Sequence, residues 1–111
     1  MAGVRNKVVD GATANASADS NTVKCIDYET KLIFIKNNHG SNGIQYQITA
    51  YADSRDTTDS AHILRTWTVI TAGNTVIHKT KDPWDGIKIS YKNQTSSSHA
   101  SIVAWINMGG R

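Results

Sequence analysis

The sequence predicts an all-β fold: an antiparallel β-sandwich, Ig-like or jelly-roll-like, of about seven strands with an extended N-terminal arm. Three observations predict it. First, twelve Ile, seven Val and twelve Thr stand against two Leu (Leu32 and Leu64) and a single Glu (Glu29). Strands favour β-branched residues, whereas helices favour Leu, Glu and Ala. Second, several segments alternate apolar and polar residues with a period of two, the mark of half-buried antiparallel strands. Third, clusters of Asn, Gly and Ser recur between those segments, as turns require. At 111 residues the chain has the length of one domain, and no linker or internal repeat divides it.

Residues 1–20 read as an arm, flexible or docked on a partner, and residues 21–111 as the sandwich. Within the arm, Val4–Val9 is short and could add to a sheet edge, with Val4, Val8 and Val9 as the contact residues. Gly11–Ser20 is small and polar. It has no large apolar group to offset the entropy of ordering. Thr22–Tyr28 is the first expected strand of the sandwich. Lys31–Asn37 (KLIFIKN) is the second, and its unbroken run Leu32–Ile35 reads as buried on both faces. Asn37–Gly43 is a turn rich in Asn, Gly and Ser. Gly43–Ala52 places Ile44, Tyr46, Ile48 and Ala50 on one face and Gln45, Gln47 and Thr49 on the other. The two segments read as a hairpin with a long loop.

Asp53–Ala61 is a polar, acidic-leaning loop, with Ser60 placed to start a short turn over His62–Leu64. Arg65–Thr71 and Thr75–Thr80 read as strands flanking a tight turn at Ala72–Asn74. Asp82–Gly86 is a second strong turn and holds the one proline, Pro83. Ile87–Lys92 alternates again, Ile87, Ile89 and Tyr91 inward. Ala100–Asn107 closes the fold, with Ile102, Ala104 and Ile106 opposed to Val103 and Trp105.

The same residues exclude several functions. No apolar run approaches the roughly 20 residues of a membrane span. Met1–Ser20 lacks the apolar centre of a secretory signal, so synthesis in the cytoplasm without a signal peptide is expected. The lone Cys25 forms no internal disulfide, and it reads as a small buried side chain. The net charge of +3 is mild, its one local excess being Lys79, Lys81, Lys88 and Lys92. The four arginines are scattered, so nucleic acid is not an expected partner. His39, His62, His78 and His99 have no metal-ligand spacing. Ser98 and His99 adjoin, but neighbouring strand residues point apart. Asp53, Asp56 and Asp59 resemble a calcium loop only loosely, without its glycine and terminal glutamate. No phosphate-cradling glycine motif is present. The expectation is a protein that is not an enzyme and carries no catalytic residue, cofactor or metal.

Aromatic residues are the remaining candidates. Trp67, Trp105, Tyr46 and Tyr91 lie in strands and read as core or interface. Trp84, in its turn, and Tyr51 are the expected exposed contacts, suited to a neighbour or a glycan. The sequons at Asn15 and Asn93 read as coincidental without a signal peptide.

The segment Lys31–Arg111 resembles small phage and archaeal-virus virion proteins. The resemblance rests on Lys31–Asn37, on Ile44–Asp53 (IQYQITAYAD), on Thr68–Gly73, on the Asp–aromatic turn Asp82–Lys92, and on Ser98–Trp105. It implies a structural virion protein, most simply a capsid decoration or cement protein. Such a protein would assemble as a homo-oligomer and bind a major capsid or other virion protein at the capsid surface or the tail. A carbohydrate-binding or receptor-binding module of a tail fibre is the alternative. The resemblance carries over no catalytic residue.

Overall fold

The structure is a computed structural model and describes residues 3–110. The chain forms β1 (Val4–Ala12), β2 (Ala18–Asp19), β3 (Val23–Lys24), β4 (Thr30–Asn37), β5 (Ile44–Tyr51), β6 (Ala61–Ile70), β7 (Thr75–Thr80), β8 (Gly86–Asn93) and β9 (Ser101–Gly109). All pairings are antiparallel, and the described residues contain no helix. One sheet, here sheet A, has the order β1-β9-β4-β7. Sheet B has the order β2-β8-β5-β6, with β3 continuing β2 along β8. With β2 and β3 counted as one interrupted strand, this is the eight-stranded jelly-roll order. The fold is therefore the all-β antiparallel sandwich that the composition predicts, in its jelly-roll form.

Isoleucine fills the gap between the sheets. Nine of the twelve are buried: Ile33, Ile35, Ile102 and Ile106 from sheet A, Ile44, Ile48, Ile70, Ile87 and Ile89 from sheet B. Tyr46, Ala50, Ala104, Met108 and Cys25 complete the layer. Sheets pack about 10 Å apart, a depth that short β-branched side chains fill in their preferred rotamers. Neither leucine belongs to the buried set.

Several sequence expectations are corrected. The hairpin expected between Lys31–Asn37 and Gly43–Ala52 does not form, because β4 and β5 belong to opposite sheets. The connection is a corner instead, pinned by buried Asn37. Its amide donates to the carbonyls of Asn42 (2.8 Å) and Ile70 (3.0 Å), and its Oδ1 accepts from the His39 backbone N–H (3.0 Å). The turn after β6 crosses sheets too. It needs a left-handed residue and places Gly73 there, at φ 77°. Thr22–Tyr28 shrinks to β3, and the expected turn at His62–Leu64 is part of β6.

The N-terminal arm is also corrected. Val4–Ala12 is an edge strand, paired with β9 from Val4↔Met108 to Ala12↔Ser101. Val9 is in the core, and Val4 and Val8 pack against it. All three valines make contacts within their own chain. The polar stretch after β1 is held by hydrogen bonds. Buried Thr13 donates to Asn93 Oδ1 (2.5 Å), and its backbone N–H donates to the Ala100 carbonyl (2.8 Å). Asn93 donates to Asn15 Oδ1 (2.9 Å), pairs with His99 Nδ1 (3.0 Å), and gives its backbone N–H to Ala14 (2.8 Å). Asp19 then pairs with Ser90 in register. Residues 1 and 2 lie outside the described residues.

Asn93→Ala removes the hub of this network. Stability to urea is expected to fall by about 1–3 kcal/mol, the cost of stranding buried polar partners. Amide exchange is expected to accelerate at residues 13–17 while β1 stays protected. Unchanged protection at 13–17 would show that the segment is held some other way.

Candidate functional site

Each strand of a sandwich buries alternate residues, so burial of one set fixes what the outer face displays. On sheet A the outward positions form three rows across β1, β9, β4 and β7. The first is Arg5, Asn107, Leu32 and Lys79; the second Lys7, Trp105, Phe34 and Ile77; the third Asp10, Val103, Lys36 and Thr75. Trp105 and Phe34 face each other in register at the centre. Leu32, Val103 and Ile77 surround them, and Ile77 is 59% exposed. A shallow groove joins Arg5, Phe34, Lys36, Val103, Trp105 and Asn107. By strand geometry the whole grid measures roughly 14 Å each way.

Charge frames this apolar centre. Arg5 and Lys7 lie on one side, Lys36 and Lys79 on the other. The Lys7 ammonium stands 5.5 Å from the Trp105 ring centroid and 3.3 Å from Asp10, the one acid of the grid. Four basic groups less one acid give +3, which is the formal charge of the whole chain. The other eight basic and eight acidic residues therefore cancel. Sequence reading saw scattered cations. Strand pairing brings four of them together, and a period-two count on each strand was the signal that could have found them.

Sheet B is dressed differently. Gln45, Gln47, Thr49, Lys88, Ser90 and Lys92 occupy its outward positions on β5 and β8. Asp19 accepts from Ser90 (2.7 Å) and from Lys88 (3.2 Å). The Ser90 bond, joined by Lys88, holds the Asp19 carboxyl below its usual range against the pull of burial. Burial opposes the Lys88 charge, but Tyr51 and Asp19 outweigh it and raise its pKa. Lys92 lies 4.3 Å from the Trp67 ring centroid.

The two aromatic contacts expected from sequence are placed otherwise. Tyr51 is only 3% exposed, where the sequence reading expected an open ring. Its last place on β5 opposite Gly86 closes it in. Trp84 is half-buried and stacks on His62, with ring centroids 5.4 Å apart and planes at 12°. The Asp82–Gly86 turn is tied down from within. Buried Lys31 donates to the Asp82 carbonyl (2.7 Å), and the Cys25 thiol to the Trp84 carbonyl (3.2 Å).

The acidic loop spends its carboxylates on itself. Asp53 takes the Arg55 guanidinium (3.0 and 3.1 Å), and Asp56 accepts the backbone N–H groups of Thr58 and Asp59. Asp85 accepts two bonds of 2.6 Å from Ser54, which hold its carboxyl low. Among the described residues no three His, Cys, Asp or Glu side chains are grouped to hold a metal ion.

Two buried groups are chemically quiet. Burial pushes the Cys25 thiol up to about 11. His78 faces the gap between the sheets, where its Nε2 pairs with the Tyr46 hydroxyl at 2.6 Å. Burial, with help from the Arg65 charge, lowers its pKa.

No protein-family model and no curated protein matches the chain by sequence. Solved structures do match in fold. PirA aligns with a TM-score of 0.64 at 9% identity, over 91% of this chain and 94% of that one. A Bacillus endospore appendage, described as a disulfide-linked pilus, aligns at 0.54 and 14% identity, over 98% and 89%. The K3 cleaved adhesin domain of Lys-gingipain from Porphyromonas gingivalis aligns at 0.51 and 12%, over 92% and 74%. Viral shell proteins, among them infectious bursal disease virus at a TM-score of 0.45, align too loosely to weigh on function. At these identities the likeness is one of fold alone.

Two outcomes follow from the buried groups. Because the folded pKa of His78 lies below its ordinary 6.5, the unfolded chain binds the proton more readily. His78 thus contributes full stability above about pH 6.5, and this is lost as pH falls through 6.5 toward the folded pKa. Urea midpoints between neutral and mildly acid pH should show the loss, and His78→Gln should flatten it. The Cys25 thiol should react with a disulfide reagent at the rate of global unfolding, and fast labelling of native protein would contradict its burial.

Proposed function

We propose that this chain is a structural subunit of a virus particle, acting by binding rather than by catalysis. The observation that carries the reading is the apolar centre of the outer face of sheet A. Sheet B has a more broken outer face: Gln45, Gln47, Lys88 and Lys92 lie outward on β5 and β8, and β6 adds exposed Ile63 and Val69 at its edge. Sheet A sets half-buried Trp105, Phe34, Leu32 and Val103 beside exposed Ile77, and no layer of described residues lies over them. Contiguous exposed apolar groups rimmed by polar ones mark interaction sites. The run Leu32–Ile35 reads as a strand buried on both faces, and this chain covers only one of them.

The resemblance of Lys31–Arg111 to virion proteins supplies the kind of assembly. A capsid decoration or cement role is the form it implies, with a capsid protein and further copies of the chain as neighbours. The face of sheet A is then a contact surface toward some component of the particle, and Val4, Val8 and Val9 pack within the chain. The carbohydrate-binding alternative is weaker, because Tyr51 is buried and half-buried Trp84 already stacks on His62.

An antibody against the purified chain tests the reading on material from the source. In a density gradient the chain is expected in the fractions that hold the major shell protein and packaged genome. Recovery only from fractions without particles would end it.

A further inference from the structure

We infer that the outer face of sheet A is a binding platform for single-stranded nucleic acid, with bases stacking on Trp105 and Phe34. The inference rests on the face itself and does not need the particle reading. It narrows that reading if both hold, because such a face belongs against a genome rather than on a shell's exterior.

Three features of the face select this ligand. The first is the order of chemical types across the strands. Cations from β1 (Arg5, Lys7) and from β4 and β7 (Lys36, Lys79) bracket an aromatic pair contributed by β9 and β4. Nucleic acid offers the complementary order, with apolar base faces between lines of phosphate. The second is the placement of the net charge. The grid holds +3 while the rest of the chain is balanced, so the field of the molecule points from this face. The third is shape. Four strands give a face roughly 14 Å across, with a shallow groove beside Trp105 and Phe34 and no described element projecting from it to enter a duplex groove. The rings can meet only bases whose faces are free, as they are in a single strand.

Other occupants fit less well. A second copy related by two-fold symmetry would set this face against itself. Arg5, Lys7, Lys36 and Lys79 would then meet their own kind around the joined aromatic centre. A protein partner would meet three lysines among the four cations, and lysine is depleted from protein interfaces, where arginine is enriched. At present the Lys7 ammonium caps the Trp105 ring at 5.5 Å and leans on Asp10. A base on the indole displaces it sideways, toward the phosphate that follows.

Fluorescence anisotropy with labelled oligothymidylate of about 15 nucleotides tests the inference on the full chain. Binding is expected to weaken with salt, with a log–log slope near −2 to −3 for four cations on a single strand. Trp105→Ala and Phe34→Ala should each weaken binding about tenfold. The indole emission of the native chain should be quenched on titration. Should either truncation unfold the sheet, Lys36→Glu and Lys79→Glu, both at exposed positions, give the test without touching the core. Each should lower affinity and flatten the salt slope, while Gln47→Ala on sheet B should change neither.

Any one of several results would overturn the inference. One is no binding of the oligonucleotide at low salt. A second is duplex bound as tightly as single strand, or binding indifferent to Trp105 and Phe34, which means charge alone. A third is a concentration-dependent dimer that Trp105→Ala dissociates, which makes the face an interface between copies. Vesicles of phosphatidylserine and phosphatidylcholine serve as the lipid control, and Trp105-dependent binding to them in place of oligonucleotide also overturns it. Failure here leaves the gradient experiment standing, and failure there leaves this one.

Discussion

The register of β9 between β1 and β4 is the constraint on which the rest of the structure depends. Ile102, Ala104, Ile106 and Met108 must face the second sheet, and their strand partners Ile33 and Ile35 must join them. A side-chain period of two leaves no freedom after that. Val103, Trp105 and Asn107 turn outward, and so do Leu32, Phe34 and Lys36. A slip of one residue in either strand would bring Trp105 or Phe34 into a gap sized for isoleucine and push two or more isoleucines into water. The core and the outer face are thus one decision. The same apolar burial that stabilises the sandwich composes the outer face of sheet A.

That coupling explains what the sequence discloses and what it hides. Isoleucine abundance and alternation in Ile44–Ala50 and Ile87–Tyr91 disclose the fold class, because burial of a sheet face acts residue by residue along one strand. Which strands become neighbours depends on contacts across many residues, and local pattern carries little of it. So Lys31–Asn37 and Gly43–Ala52 look like a hairpin, although a buried asparagine makes the link a corner between sheets. Residues 13–19 looked unheld for a similar reason. Their partners Asn93, Ala100 and Ser90 lie far along the chain, and the attachment is polar, so no apolar residue announces it. The cation grid was hidden likewise. Arg5, Lys36 and Lys79 are remote in sequence and become neighbours only when β1, β9, β4 and β7 are laid side by side.

The edges of the sheets are poor candidates for contact by strand addition. Open edges invite pairing with another chain, and proteins blunt them with bulges, charge and shortness. β1 bulges between Lys7 and Val9 and carries Arg5, Lys7 and Asp10 outward. β6 loses register with β5 twice, between Tyr46 and Ile48 and between Ile48 and Thr49. β7 has only six residues, one of them Lys79, and the fourth edge is broken into the two-residue strands β2 and β3. All four edges are thus discouraged from extending the sheet.

Charge then gives the molecule a direction. Away from sheet A, positive and negative groups cancel, several in close pairs such as Lys88 with Asp19 (3.2 Å) and Arg55 with Asp53 (3.0 Å). Those pairs are exposed or partly so and contribute little to stability. Their effect is to remove competing sources of field. What remains is a basic patch on one side of a small particle. An anionic surface approaching it is steered to the aromatic centre before any ring makes contact. The apolar groups set how long the contact lasts, and the cations around them set how fast and in which orientation it forms. A sheet face with the aromatics alone would adhere to anything apolar, and one with the lysines alone would bind any polyanion. Both on one grid would favour surfaces that present flat apolar groups and negative charge at the same spacing.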